Sequence, residues 1–123
     1  TSKGEFIEPL GLEKFFGDIV EFEQICIVGL GNPQPMLLVV LSESGKSTDK
    51  NTLKSMIENK LVAVNKDLVS YKRISTIIFV KDDWNPENEI LTPTMKIKRN
   101  KINDKYHGKF KDWSDNKETV IWE

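Results

Sequence analysis

Two uninterrupted apolar runs, Ile25-Cys26-Ile27-Val28 and Met36-Leu37-Leu38-Val39-Val40-Leu41, set the terms for everything else in this chain. Both are rich in β-branched residues, and the stretch between them, Gly29-Leu30-Gly31-Asn32-Pro33-Gln34-Pro35, is dense in turn-formers. The pair therefore reads as two strands joined by a hairpin loop. An alternating strand can leave one face in water, whereas a strand that is apolar at every position needs cover on both. Periodicity alone also allows a buried helix, but if these are strands the remaining sequence must supply helices to both sides of a sheet.

The flanking sequence offers them. Pro9 suits the first position of a short helix running to about Phe16, with Leu12, Phe15 and Phe16 on one face, and Gly17-Asp18 breaks it. From Asp49 to about Val69, Leu53, Met56, Ile57, Leu61, Val64 and Leu68 recur at three- and four-residue spacing, with Ser47 or Thr48 placed to cap the first free amides. Ile74 to Val80 reads as a third strand, Asp82 to Asn88 as a polar loop, and Lys98 to Tyr106 as a helix stopped by His107-Gly108. Val120-Ile121-Trp122 either pairs at an edge or simply packs. The expected fold class is α+β, a small three-stranded sheet flanked by helices.

At 123 residues this is expected to be one domain, 1–123, able to bury most of its unfolded surface in one core. Charged residues make up 30% and apolar ones 38%, a globular balance that excludes a disordered chain. No apolar stretch reaches the length needed to cross a bilayer, and Thr1 to Leu10 has no signal-like pattern. Lone Cys26 reads as a buried small hydrophobe, and a single cysteine forms no internal disulfide, so a reducing cytoplasm is the expected location. The chain begins at Thr1 and enters directly on Glu5-Phe6-Ile7, so it reads as cut from something longer. The net charge of −1 argues against a general polyanion binder, yet Lys96, Lys98, Arg99, Lys101, Lys105, Lys109 and Lys111 crowd one region that could face phosphates.

Within that region, Leu91-Thr92-Pro93-Thr94-Met95-Lys96-Ile97-Lys98-Arg99 carries the most specific signal. Pro93 fixes its own φ and pushes Thr92 towards an extended conformation, so the segment must be a turn with Lys96 at its tip. A lysine on a stiff turn, flanked by hydroxyls, suits the meeting of one positioned charge with a phosphate or carboxylate.

Glu87 to Arg99 resembles the final core motif of the adenylate-forming superfamily, which includes acyl-CoA synthetases, peptide-synthetase adenylation domains and luciferases; the usual form there is Pro-x-x-Gly-Lys-Ile or Pro-Thr-Gly-Lys-Ile. Met95 takes the glycine position, and Leu-Thr-Pro-Thr, a large apolar residue, Lys and an aliphatic are most similar to the long-chain fatty acyl-CoA synthetases. Lys3-Gly4-Glu5-Phe6-Ile7-Glu8-Pro9, ending in Leu12-Glu13, resembles the segment that follows the interdomain hinge in these enzymes. The resemblance implies a C-terminal mobile lid domain of an AMP-forming enzyme that joins a fatty acid to ATP, releases pyrophosphate and passes the acyl group to coenzyme A. It implies that Lys96 is the catalytic and nucleotide-binding residue of adenylation, and that Gly4 belongs to the wall of the pantetheine tunnel; as a bare residue, Gly4 reads equally well as a turn glycine. ATP or AMP and coenzyme A are the implied cofactors. Magnesium is expected with ATP, bound mainly by an N-terminal domain absent from this chain. That domain and a carboxylate substrate are the expected partners, without nucleic acid, and any membrane contact is expected through the absent domain. Replacement of glycine by Met95 predicts an altered turn, because methionine does not adopt positive φ cheaply.

Competing motifs fail on spacing. Ser44-Gly45-Lys46-Ser47-Thr48 looks like the end of a phosphate loop, but Val40 stands where the first glycine is required, so a loop leading to a helix cap fits better. Gly29-Leu30-Gly31 lacks the third glycine of a dinucleotide fingerprint and is followed by two prolines. Asp82, Asp83, Glu87 and Glu89 lack calcium-loop spacing. His107 is the sole histidine, so zinc and triad chemistry have no support and no metal ligand is assigned. Trp84, Trp113 and Trp122 are spread along the chain, as packing residues are. The alternative from another class is a stand-alone module whose basic helix contacts nucleic acid or an acidic partner.

Overall fold

The computed structural model describes residues 7–31 and 33–123. Its sheet has strands β1 (Phe22–Val28), β2 (Met36–Leu41), β3 (Thr76–Phe79) and β4 (Val120–Trp122), in the spatial order β1-β2-β3-β4. Strands β1 and β2 form the antiparallel hairpin, with Ile27 opposite Leu37, whereas β3 runs parallel to β2 and β4 parallel to β3. The expected three strands are thus four. Thr119 accepts the Ile77 N–H at 2.9 Å and Phe79 accepts the Glu123 N–H at 2.9 Å, so the last residues do pair at the edge.

Parallel neighbours require crossovers, and the crossovers are the helices that cover the sheet. Between β2 and β3 lies α3 (Lys50–Asn65), after a one-turn helix α2 (Glu43–Lys46). Its Leu53, Ile57, Leu61 and Val64 pack with Leu12 and Phe16 of the N-terminal segment onto Leu37, Val39, Ile77, Phe79 and Val120. That N-terminal segment is α1 (Pro9–Glu13) followed by a 3-10 turn, Lys14–Phe16; Phe15, expected on the buried side, is 45% exposed because the tighter turn rotates it out. Between β3 and β4 come the lysine turn, α4 (Arg99–Tyr106), a 3-10 turn and α5 (Phe110–Asp115), the last not foreseen from sequence. Ile102, Tyr106 and Trp113 from these helices, with Trp84, cover Met36, Leu38, Val40 and Ile78 on the opposite face.

Three local details depart from expectation. Asp49, rather than Ser47 or Thr48, caps α3 by accepting the Thr52 N–H at 3.0 Å, since the two hydroxyls instead bond to the Ser44 carbonyl. Helix α3 stops at Asn65, short of Val69, where the Asn65 amide exchanges two 3.0 Å bonds with the backbone N–H and C=O of Ile74. The strand-loop-helix resembling a phosphate loop is a Ser42-capped turn, and Gly45 is needed there because an added Cβ would lie 2.3 Å from the Glu21 carbonyl oxygen.

Two carboxylates fasten the C-terminal layer. Burial pushes the Glu123 carboxyl up, but the Lys109 ammonium and the Lys81 amide, which donates at 3.0 Å, outweigh it and hold the group below its usual range. Asp82 is held low by its 3.0 Å bond to Lys105 Nζ. A carboxyl with a lowered folded-state pKa adds stability above its ordinary range, and that stability disappears as pH falls through the lowered value. Urea midpoints should therefore be flat from about pH 8 to about 5 and decline below about pH 4, with Lys109→Met reducing the decline. Gly45→Ala should cost about 1–3 kcal/mol in the same measurement; an unchanged midpoint would mean that the Glu21 backbone yields freely.

Candidate functional site

The chain leaves the second core layer through Ile90 and Leu91, both buried, makes a turn, and returns through half-buried Ile97. Leu91 and Ile97 form an antiparallel bridge, and Lys98 N–H donates to the Ile90 carbonyl at 2.8 Å. Thr92 closes the turn from both sides: its carbonyl accepts the Met95 N–H at 2.8 Å and its N–H donates to the Lys96 carbonyl at 2.8 Å. This is the three-residue hairpin connection in which a type I turn is followed by one left-handed residue. Pro93 occupies the turn position that favours proline. Thr92 Oγ1 accepts the Lys96 N–H at 3.0 Å and lies 3.2 Å from Thr94 Oγ1, which stiffens the tip.

The left-handed residue is Met95, with φ 69°. Methionine therefore does adopt the conformation that is costly for it, and the turn keeps its glycine-type geometry in place of the altered one expected. The two Thr92 bonds fix the backbone there, offsetting a penalty of about 1–2 kcal/mol. Glu89, φ 66°, is a second such residue. It follows the Pro86 turn, where the Asn85 and Asn88 side chains bond to each other's backbone N–H at 2.9 and 3.2 Å.

Lys96, exposed, closes this turn opposite Thr92 instead of standing at its tip, and it makes no salt bridge among the described residues, nor do Lys98 and Lys101. The rest of the expected basic cluster is already neutralised: Lys105 by Asp82, Lys109 by Glu123, Lys111 by Asp115 and Arg99 by Glu13. A broad phosphate-facing patch is thus corrected to three cations grouped at the turn and the start of α4. Gly4 lies outside the described residues.

Sequence reading missed the most buried ion pair near the turn. Glu13, 9% exposed, receives both arms of the Arg99 guanidinium at 2.7 and 3.0 Å and also accepts the Ile27 N–H at 2.7 Å. The bond to Glu13 raises the Arg99 pKa further above its ordinary value. Arg99 Nη1 also lies 3.5 Å from Cys26 Sγ, and burial pushes that thiol up to about 12, so it remains a protonated hydrophobe, as its sequence setting suggested. The available signal was Arg99 itself: a cation opening a helix that has no acidic residue in its first turn opposes the helix dipole and demands a distant anion. Beside the pair, Val28, Leu30, Ile102 and Phe110 line a cleft of about 470 Å³. Among the described residues, no cluster of His, Cys, Asp and Glu could hold a metal ion, and no helix is long and apolar enough to cross a membrane.

Met95 is 53% exposed, so little packing would be lost by trimming it. Met95→Gly should accordingly raise stability by about 0.5–1 kcal/mol, the left-handed strain relieved less the entropy that glycine adds to the unfolded chain. A lowered urea midpoint would show that the Met95 side chain contributes more than its exposure suggests.

Comparison with known proteins agrees with this architecture. The family model described as the AMP-binding enzyme C-terminal domain matches residues 1–117. A curated relative, the chloroplastic long-chain-fatty-acid–[acyl-carrier-protein] ligase AEE15 of Arabidopsis thaliana, is 28% identical over 110 residues, covering 85% of this chain and 15% of the relative. Among solved structures, the A-PCP didomain of carboxylic acid reductase from Segniliparus rugosus in complex with AMP is similar at a TM-score of 0.72 and 26% identity, covering 90% of this chain and 16% of that one. The chain thus spans about a sixth of the length of either protein. With the lysine turn, the doubly covered sheet and a family match over nearly its whole length, this chain belongs to the C-terminal domain family of AMP-binding, adenylate-forming enzymes.

Proposed function

We propose that this domain provides the adenylation lysine, Lys96, to an enzyme that activates a fatty acid with ATP and passes the acyl group to a pantetheine thiol, that of coenzyme A. The observation that carries the reading is the turn: an exposed ammonium without an ion-pair partner among the described residues, on a backbone closed by Thr92 and stiffened by Pro93. A carboxylate attacking an α-phosphate brings two anions together, and a pre-placed cation between them lowers the barrier electrostatically. The proposed role of Lys96 is therefore to clamp charge. ATP and the acyl chain would be gripped largely by the N-terminal domain, with magnesium accompanying the nucleotide there. Gly4 is proposed for the wall of the pantetheine channel.

The relative that acts on a carrier protein favours a second reading of the acceptor. Coenzyme A and an acyl carrier protein present the same thiol arm, so the two readings share the adenylation step and differ only in what carries the arm.

In the full-length enzyme, Lys96→Ala should slow acyl-adenylate formation about 100- to 1,000-fold, read by fatty-acid-dependent pyrophosphate release. Thioester formation from supplied acyl-adenylate should stay within about threefold of wild type. Unchanged pyrophosphate release would dismiss Lys96 from the role. Offering coenzyme A and a holo-carrier protein in parallel identifies the acceptor: turnover with the carrier protein alone would replace the first reading by the second.

A further inference from the structure

We infer that the Glu13–Arg99 ion pair is the positioning device for Lys96: it locks the start of α4 to the edge strand β1 and thereby sets where the turn, three residues upstream, holds its ammonium. The inference rests on the adenylation role proposed for Lys96 and adds two positioning residues to it.

The pair joins three elements that are distant in sequence. Glu13 ends α1, Arg99 opens α4, and Ile27, whose N–H completes the carboxylate's shell, lies on β1. Among the described residues β1 is an edge strand, with β2 as its sheet partner, and edge amides stay open unless something covers them. One carboxylate therefore satisfies an edge amide and a guanidinium fork together. Planar two-point pairing of this kind fixes orientation as well as distance, which a lysine at the same position would not do.

The path from Arg99 back to Lys96 has little slack. Lys98 is extended, with φ −92° and ψ 99°, its N–H is tied to Ile90, and Ile97 is bridged to Leu91. No glycine interrupts residues 96–99, so a shift of the guanidinium is carried along roughly 10 Å of extended backbone to the turn. Arg99 is also an expensive choice for a helix start. α4 has no side-chain cap and no acid in its first turn, so a cation there faces the positive end of the helix dipole. A local rule broken in this way marks a position selected for something other than helix formation. Remote groups that place a reacting charge can change rates strongly, because a misplacement of about 1 Å can cost about a hundredfold.

The test is a double-mutant cycle in the full-length enzyme with Arg99→Lys and Glu13→Gln, each made alone and on Lys96→Ala. Glu13→Gln keeps an acceptor for the Ile27 amide while deleting the charge; Arg99→Lys keeps the charge while deleting the fork. Each alone should lower the adenylation kcat about tenfold or more, leave thioester formation from supplied acyl-adenylate within about threefold, and add less than about twofold once Lys96 is gone. Multiplicative losses on the Lys96→Ala background, or equal losses in both half-reactions, would make the pair a general support of the fold and overturn the inference. So would unfolding of both variants, read by circular dichroism. A Lys96→Ala enzyme with normal adenylation would instead remove the reading on which the inference stands.

Discussion

The requirement to keep water from both sides of β2 organises this molecule. Met36, Leu37, Leu38 and Val39 have no exposed surface, and Ile77 and Ile78 beside them have none either. Each fully buried aliphatic side chain contributes about 1.5–3 kcal/mol relative to exposure, but only if both layers close. The chain meets this by sending each parallel crossover to a different face, α3 to one and α4 with α5 to the other. Whatever acts on a ligand must then sit on a connection. The lysine turn does so: it lies on the connection between β3 and α4, pinned by Ile90, Leu91 and Ile97 into the same core that α4 goes on to cover.

Much of this was legible because burial is written in sequence as periodicity. The hairpin, the long helix and the third strand announce themselves through runs and spacings of apolar residues. The misses occurred where the deciding partner is far away. Helix α3 ends at Asn65 because of Ile74, Asp49 takes the cap because the Ser47 and Thr48 hydroxyls are engaged with Ser44, and β4 is a strand because β3 lies open beside it. Three apolar residues carry too little pattern to show that pairing.

The site shows the same division. Pro93 and the flanking threonines gave the turn and the position of Lys96, since both depend on local torsions. The neighbours of Lys96 misled, because seven cations in one stretch read as a continuous patch until their carboxylates, drawn from Glu13, Asp82, Asp115 and Glu123, are seen in space. Met95 was misjudged for a related reason. A residue's intrinsic preference yields when two backbone hydrogen bonds over-determine its torsions, and Thr92 provides both of them.

Strand β4 lies beyond residue 117, where the family match stops, yet it is fully integrated: Val120 is buried, the Trp122 and Phe79 rings meet at a 45° tilt with centroids 5.2 Å apart, and Lys50 Nζ sits 5.3 Å from the Trp122 ring centre. It acts as a sacrificial border. Its own outer side stays unpaired among the described residues so that the amides of Ile77 and Phe79 do not, and a homologue that ends earlier must guard that margin by some other device or accept strangers in its place.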